Sequence, residues 1–583
     1  MSGNKKRYLC IALATALSMV FGARGAVAAD VDGDRVLNAD KELAKGNWVT
    51  YNGSFKGWHY SPLDKINTKS VGKLTEAWSH SASRARRGIE SMPLAIDGNL
   101  YYTGPYNQVY ALDGATGKML WTYKQKLNED LVARQTHGPF NRGIAAAYGN
   151  IIIATLDGKV VAIDMKTGKL VWETKLIDSE KLTVGFTGTP MLVKDKLIIG
   201  AQGGEWPYRG PIFGVDARSG KKVWEFLTVG GNDGTASDKR DTWGQDSWKV
   251  GGGGAWSGNG AYDAETNSYW IGTGNPAPLY DWAGADWKTK GPRPGDNLYT
   301  TSVLLLDPDT GALKAYHQEL PHDAWDFDSS PGGFVFVEQN GKKLVVHPSK
   351  GGFIFVYDRQ GKPVNVYKGV DNINFVQDIK PNGELVGRRD LAEGKHENLC
   401  PAINGGLSYN SGTYSPKTGL YYGLGYEWCM DLTVQKVEPV TEPVAQLFIG
   451  ADFKFTIPKG EKSMRGHIRA RDPASGKVKF EIAYPGATPH SSLLSTAGGV
   501  LFVGEADGMF TAYDAANGKK LWTHNNGIGH GGGIITYMAK GKQYVAVATG
   551  WGSLFEEGYG DFFGEPWKSM PQDSGGLKVF ALR

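Results

Sequence analysis

Cysteine is almost missing from this chain, with three in 583 residues. Cys10 lies in a stretch that reads as an export leader, which leaves Cys400 and Cys429. In an oxidising compartment such a leftover pair is most simply a disulfide. No Cys-x-x-Cys-His occurs, which excludes a covalently attached haem. Long apolar runs are missing too. The run from Leu9 to Phe21 is too short for a stable bilayer anchor. Lys5, Lys6 and Arg7 precede it and Ala26-Val27-Ala28 follow it, the pattern of a cleaved secretory signal over residues 1–29. Cys10 sits too early in that run for lipid attachment. No later run is long enough to span a membrane, so a mature domain of residues 30–583, exported to the periplasm, is expected. Charge of one sign is also lacking. The chain has 64 basic and 60 acidic residues; the leader holds Lys5, Lys6, Arg7 and Arg24 and no acid, so the rest balances at 60 against 60. That balance argues against nucleic acid or an anionic membrane surface as a partner.

Glycine (81) and tryptophan (18) are plentiful, and long helical periodicity is scarce. A chain with so many turn formers and aromatic anchors suits an all-β protein. One short unit recurs: an apolar pair or near-pair, Asp, then Thr, Ser or Asn followed by Gly, then an aromatic. Copies are Asp113…Thr116-Gly117…Trp121, Asp164…Thr167-Gly168…Trp172, and Asp216…Ser219-Gly220…Trp224. Others are Asp307…Thr310-Gly311…Tyr316, Asp472…Ser475-Gly476…Phe480 and Asp514…Asn517-Gly518…Trp522, with Asp358-Arg359-Gln360-Gly361 as a shortened copy. The first three aspartates stand about 50 residues apart, one propeller blade. Each unit predicts a strand, an Asp-initiated turn closed by glycine, and an aromatic that docks between neighbouring sheets. The regular repeat implies one closed β-propeller. Longer intervals, such as Asp216 to Asp307 and Asp358 to Asp472, must hold diverged blades and long loops, and such loops on a rigid scaffold usually carry function.

The stretch Pro321-His322-Asp323-Ala324-Trp325-Asp326-Phe327-Asp328 places two carboxylates two positions apart. In an extended segment such side chains share a face, and a hard cation takes several oxygen ligands at once. Taken alone this is an acidic turn; the matching motifs elsewhere in the chain give it weight.

Together these motifs resemble the pyrroloquinoline quinone (PQQ) alcohol dehydrogenases, the quinoproteins related to methanol and ethanol dehydrogenase. The likeness runs from Trp48-Val49-Thr50-Tyr51-Asn52-Gly53 to Gly504-Glu505-Ala506-Asp507-Gly508 and the last repeat. It implies a single eight-bladed propeller with PQQ and a metal ion on its axis. It further implies PQQ contacts from Glu90, Arg142 (in Asn141-Arg142-Gly143), Thr187, the turn Gln202-Gly203-Gly204, Trp256 under the quinone plane and Lys350 near its oxygens. The implied metal ligands are Glu205, Asn275 and Asp326, with Asp326 also the catalytic base and Cys400–Cys429 a structural disulfide. The residue types suit the chemistry: a flat tricarboxylate needs a stacking face and cationic donors, a Lewis acid sharpens the quinone, and a carboxylate can take the alcohol proton.

The chain also departs from the family. The adjacent cysteines that most relatives carry before Asn-Arg-Gly are replaced by Thr136-His137-Gly138-Pro139-Phe140, so His137 or Phe140 is expected to wall the pocket. A tryptophan of many relatives falls near His490 here, and an asparagine after their Cys-Pro motif falls near Ser408. Asp328 stands where calcium enzymes carry a small residue and lanthanide-dependent relatives carry Asp, which favours a lanthanide over Ca²⁺. The implied reaction is oxidation of a primary or secondary alcohol with electrons passed to a soluble cytochrome c or similar acceptor. The alternative is a non-enzymatic propeller scaffold in envelope assembly, which has no need of Glu205, Asn275, Asp326 and Lys350. The sequence leaves the subunit count open, a homodimer included.

Overall fold

A computed structural model describes residues 1, 30–135, 138–231, 242–249, 251–278, 293–329, 333–407, 409–435, 450–486, 489–552 and 559–583. The leader expected over residues 1–29 (Met1 apart), Thr136, His137, Ser408 and much of the segment from Val434 to Lys462 lie outside the described residues.

Eight four-stranded antiparallel sheets follow one another along the chain. The first is Leu94–Ile96, Asn99–Gly104, Gln108–Asp113 and Met119–Lys124, and the fifth is Val335–Gln339, Lys342–Pro348, Phe353–Asp358 and Pro363–Lys368. The eighth blade is closed across the whole chain. Its strands Ile534–Ala539, Lys542–Gly550 and Gly575–Leu582 take their outer partner, Leu74–Ser81, from the N-terminal part. No repeat unit is needed there, which explains why the sequence holds seven copies for eight blades. The seventh blade gains a fifth strand, Tyr60–Ser61, paired parallel to Leu494–Thr496. Among the described residues no helix is long and apolar enough to cross a membrane.

The repeat unit works as its residues suggest. Asp164 Oδ1 accepts hydrogen bonds from the Lys166 and Thr167 amides and the Thr167 hydroxyl, closing the turn. Gly168 has φ +70, and a Cβ there would come within 2.8 Å of the Trp121 ring. The glycine of one blade thus seats the aromatic of the blade before it. Trp121 Nε1 donates to Met165 O at 2.9 Å, and Trp224 Nε1 donates to Pro308 O at 3.0 Å. Trp78, the aromatic of the closing strand, meets Gly117 in the same way. The fourth copy differs. Gly361 of the shortened turn faces Leu305 and Ala315, and Tyr316 is 41% exposed with its ring against Tyr299.

Strand direction fixes where the loops go. In each blade the turns from first to second strand and from third to fourth lie at one end. The loops that leave the second strand and those that enter the next blade lie at the other. The long interruptions of the repeat, at 273–301, 319–334, 369–412, 428–464 and 551–574, are all of this second kind. There they pack into an apolar cluster shared with strands of the fourth and fifth blades, whose loop members include Trp325, Phe327, Phe375, Trp428, Trp551 and Tyr559. Cys400 and Cys429 form the expected disulfide inside this layer, with Cα atoms 4.3 Å apart.

Candidate active site

Every described candidate residue sits on that loop-bearing end. Glu90, Arg142, Thr187, Trp256 and Asp326 precede the inner strands of the first five blades, while Gln202–Glu205, Asn275 and Lys350 follow the second strands of the third, fourth and fifth. The repeat brings them together because equivalent loops of a closed propeller converge on its axis.

Two groups result. In the first, the Arg142 guanidinium pairs with Glu90 at 3.0 Å; the two side chains are 12% and 1% exposed. Arg142 Nη1 donates to Thr187 Oγ1 at 3.2 Å, and Trp256 Nε1 donates to the same oxygen at 3.1 Å. Thr187 therefore ties the cation to the indole. Arg142 also lies over the rings of Tyr409, at 4.6 Å, and Phe140, at 5.4 Å. Phe140 is buried under the arginine. Tyr409, whose hydroxyl donates to Gly531 O at 3.2 Å, was not marked by the sequence because an isolated Tyr in a loop carries no pattern. His490 is fully buried, with Tyr409 and Tyr426 edge-on to its ring.

The second group is anionic. Lys350 Nζ stands 2.8 Å from Asp326 Oδ1 and 3.2 Å from Asp328 Oδ2. Asp328 Oδ1 accepts the Asn275 amide at 2.8 Å. The resemblance placed Lys350 near the quinone oxygens; the structure sets its ammonium between the two carboxylates. The extended geometry expected for 326–328 is corrected. Asp326 has φ +64, a left-handed conformation, within an irregular loop. Non-glycine residues in that region are uncommon, and Asp is among those that tolerate it. Glu205 is linked to this group through its charge, and its Oε2 accepts the Gly204 amide at 3.2 Å.

Close backbone packing holds these loops. Gly253 N donates to Asn275 O at 2.7 Å and Gly274 N to Gly254 O at 2.6 Å. A Cβ at 252 would come within 2.6 Å of Gly204 O, and one at 204 within 1.8 Å of Asn275 Oδ1. The glycine run 251–254 is the spacer that lets the 203–204 turn and the 274–276 segment meet.

The charges do not balance. Burial raises the Glu205 carboxyl to about 7, with Asp328 adding to the shift and Lys350 opposing it. Burial also pushes Asp326 well above the ordinary carboxylate range, Lys350 pulls it back, and Asp328 and Glu205 push it further up. Burial disfavours the Lys350 ammonium, yet Asp326 and Asp328 hold its pKa above that of an ordinary lysine. Three carboxylates face one ammonium in a largely buried site, so an added cation is electrostatically favoured. Asn275 Oδ1 is buried without a hydrogen bond, an oxygen suited to such a cation. Gln202, fully buried, has neither its side-chain oxygen nor its nitrogen paired. With Arg142 it offers polar contacts that a flat polycarboxylate would use. The donor set thus fits both PQQ and a cation. Among the described residues no three His, Cys, Asp or Glu side chains close into a metal cluster on their own.

The glucose/ethanol/alcohol dehydrogenase β-propeller model of PQQ enzymes matches residues 48–368 and 457–545. The chain belongs to the PQQ-dependent alcohol dehydrogenase family. It is 35% identical to a quinoprotein ethanol dehydrogenase of Pseudomonas aeruginosa, over 93% of this chain and 91% of that protein. It is 32% identical to 1-butanol dehydrogenase (quinone) of Thauera butanivorans, over 99% and 97%. A europium-containing methanol dehydrogenase superposes with a TM-score of 0.85 at 30% identity, covering 94% of this chain and 100% of the other. This quinoprotein is therefore an oxidoreductase that acts on the CH–OH group of alcohols, and the scaffold alternative falls away.

Proposed function

We propose that this dehydrogenase oxidises a primary or secondary alcohol in the periplasm, with Asp326 as the base. Trp256 would stack on the cofactor plane, Arg142, Glu90, Thr187 and the 202–204 turn would hold its polar edge, and Glu205, Asn275, Asp326 and Asp328 would ligate a lanthanide ion. The observation that carries this reading is the buried, charge-deficient set around Lys350. When bound, the cofactor supplies hydride acceptance and the cation Lewis acidity. Asp326 takes the alcohol O–H proton, and Lys350, 2.8 Å away, favours its ionised form against the burial that opposes it. Trp256 and Phe140 keep the pocket dry, which strengthens each charge contact. A trivalent ion compensates Asp328 better than Ca²⁺ does, and similarity to a europium enzyme supports it. The expected leader and the even charge support export and a soluble electron acceptor such as a cytochrome c.

Asp326→Asn tests the reading. The amide cannot accept the proton, so turnover with PQQ, a lanthanide and a dye acceptor is expected to fall about 10²–10⁴-fold, with the melting temperature and PQQ binding near wild type. Near-normal kcat would remove Asp326 from the role of base.

A further inference from the structure

We propose that Arg388 is a positioning residue for the Asp326 loop, acting from a hairpin outside the site. The inference rests on Asp326 being the base.

The loop from Pro321 to Asp328 is twice left-handed at non-glycine residues, at His322 (φ +52) and Asp326 (φ +64). Such a conformation is unfavourable for a residue with a Cβ and persists only where surroundings over-determine it. Part of that support comes from Asp323 and from the segment that carries Arg293 and Thr301. Asp323 accepts the Trp325 amide at 2.8 Å, the Phe327 amide at 2.9 Å and the Thr301 hydroxyl at 3.0 Å. Arg293 Nη2 donates to Asp323 O at 2.7 Å. These contacts hold the middle of the loop.

The start of the loop is held by Asp296 O, which accepts the His322 amide at 3.0 Å, and from the insertion between the fifth and sixth blades. There Asp378–Ile379 pairs with Leu385–Val386 in a small hairpin, and Arg388 follows it. Its Nη1 donates to Pro321 O, its Nη2 to His322 O at 2.5 Å, and its Nε to Asp390 Oδ1 at 2.6 Å. The same guanidinium lies 4.7 Å from the Trp325 ring centre. Trp325 and Phe327, which flank Asp326, both pack on Phe375, at 5.4 and 4.7 Å. Arg388 therefore fixes the carbonyls that enter the loop and one of the two rings that set the direction of the carboxylate between them. Among the described residues its contacts run to the loop and to Asp390 and reach no other site residue, so an effect on turnover is expected to pass through the Asp326 loop. A planar fork that donates to two consecutive carbonyls and stacks at once is a task for Arg and not for Lys.

The test uses the holoenzyme loaded with PQQ and metal. Arg388→Ala is expected to lower kcat about tenfold or more, since small misplacements of a reacting group cost up to about a hundredfold. KM and the PQQ dissociation constant are expected within about twofold of wild type, and the deuterium isotope effect with an α-deuterated alcohol at least as large. Arg388→Lys should fall between the two. If Arg388→Ala does not accumulate folded, Arg388→Lys carries the test, with a smaller fall in kcat expected at normal PQQ occupancy. An unchanged kcat in the variant tested, a loss explained by lost PQQ, or an isotope effect that falls toward one would each overturn the proposal. Asp326→Asn is run in parallel. If it stays active, the reading of the base fails whatever Arg388 does; if it is inactive while Arg388→Ala is normal, only the role of Arg388 fails.

Discussion

The blade shell and the loop layer above it are built on opposite rules. In the shell the same contact recurs from blade to blade: an aromatic of one outer strand on the turn glycine of the next, as with Trp121 on Gly168 and Trp224 on Gly311. These contacts are apolar and repeated, and each joins only two neighbouring blades. In the loop layer the deciding contacts occur once and are polar or charged: Lys350 on Asp326 and Asp328, Arg142 on Glu90, Arg388 on Pro321 and His322. A shell of redundant packing can carry strained, like-charged loops because no single loop contact joins all its blades. Damage to the shell should therefore appear in stability, and damage to the loops in turnover.

The largest effect expected in that comparison is at Asp328. Asp328→Ala should lower lanthanide-supported activity more than about tenfold while changing calcium-supported activity little, and lanthanide affinity measured by titration should fall with it. If calcium serves the wild type as well as a lanthanide does and the variant loses neither activity, Asp328 only anchors the Asn275 amide.

A shell residue should do the reverse. Trp121→Ala removes a buried ring and its hydrogen bond to Met165, and a loss of roughly 3–5 kcal/mol in urea unfolding is expected. Turnover per PQQ-loaded molecule should stay near wild type. A fall in kcat at full occupancy would break the division between the two regions.

The smallest effect concerns a carboxylate of the seventh blade that the proposed reaction does not use. Burial raises Glu505 from its ordinary 4.5 to about 7, opposed by the Thr511 hydroxyl and aided by Asp507. A carboxyl whose folded pKa is raised binds its proton more tightly when folded. That stabilisation is complete below pH 4.5 and is lost as pH rises through 7, on the order of 3 kcal/mol in all. Glu505→Gln should remove this pH dependence and be more stable than wild type at pH 8. Parallel melting curves of the two proteins from pH 5 to 8 would refute the assignment.

What the sequence determined by itself is what lies within a few residues. The Asp-to-Thr-Gly turns are closed by hydrogen bonds across two or three positions, as at Asp164 and Thr167, so a propeller could be read from spacing alone. The family likeness supplied eight blades and a residue set, and the structure has those eight blades. Pairing Cys400 with Cys429 needed only two cysteines left over. What the tertiary structure decided joins segments far apart. The strand Leu74–Ser81 closes the last blade against Gly575–Leu582, and Tyr409 lies beneath Arg142, which it meets across more than 260 positions of chain. Lys350 settles between Asp326 and Asp328, and Asp326 turns left-handed. None of these leaves a local pattern, because a buried charge goes where the summed field of distant loops places it, and a backbone bends to fit neighbours that its own sequence does not encode.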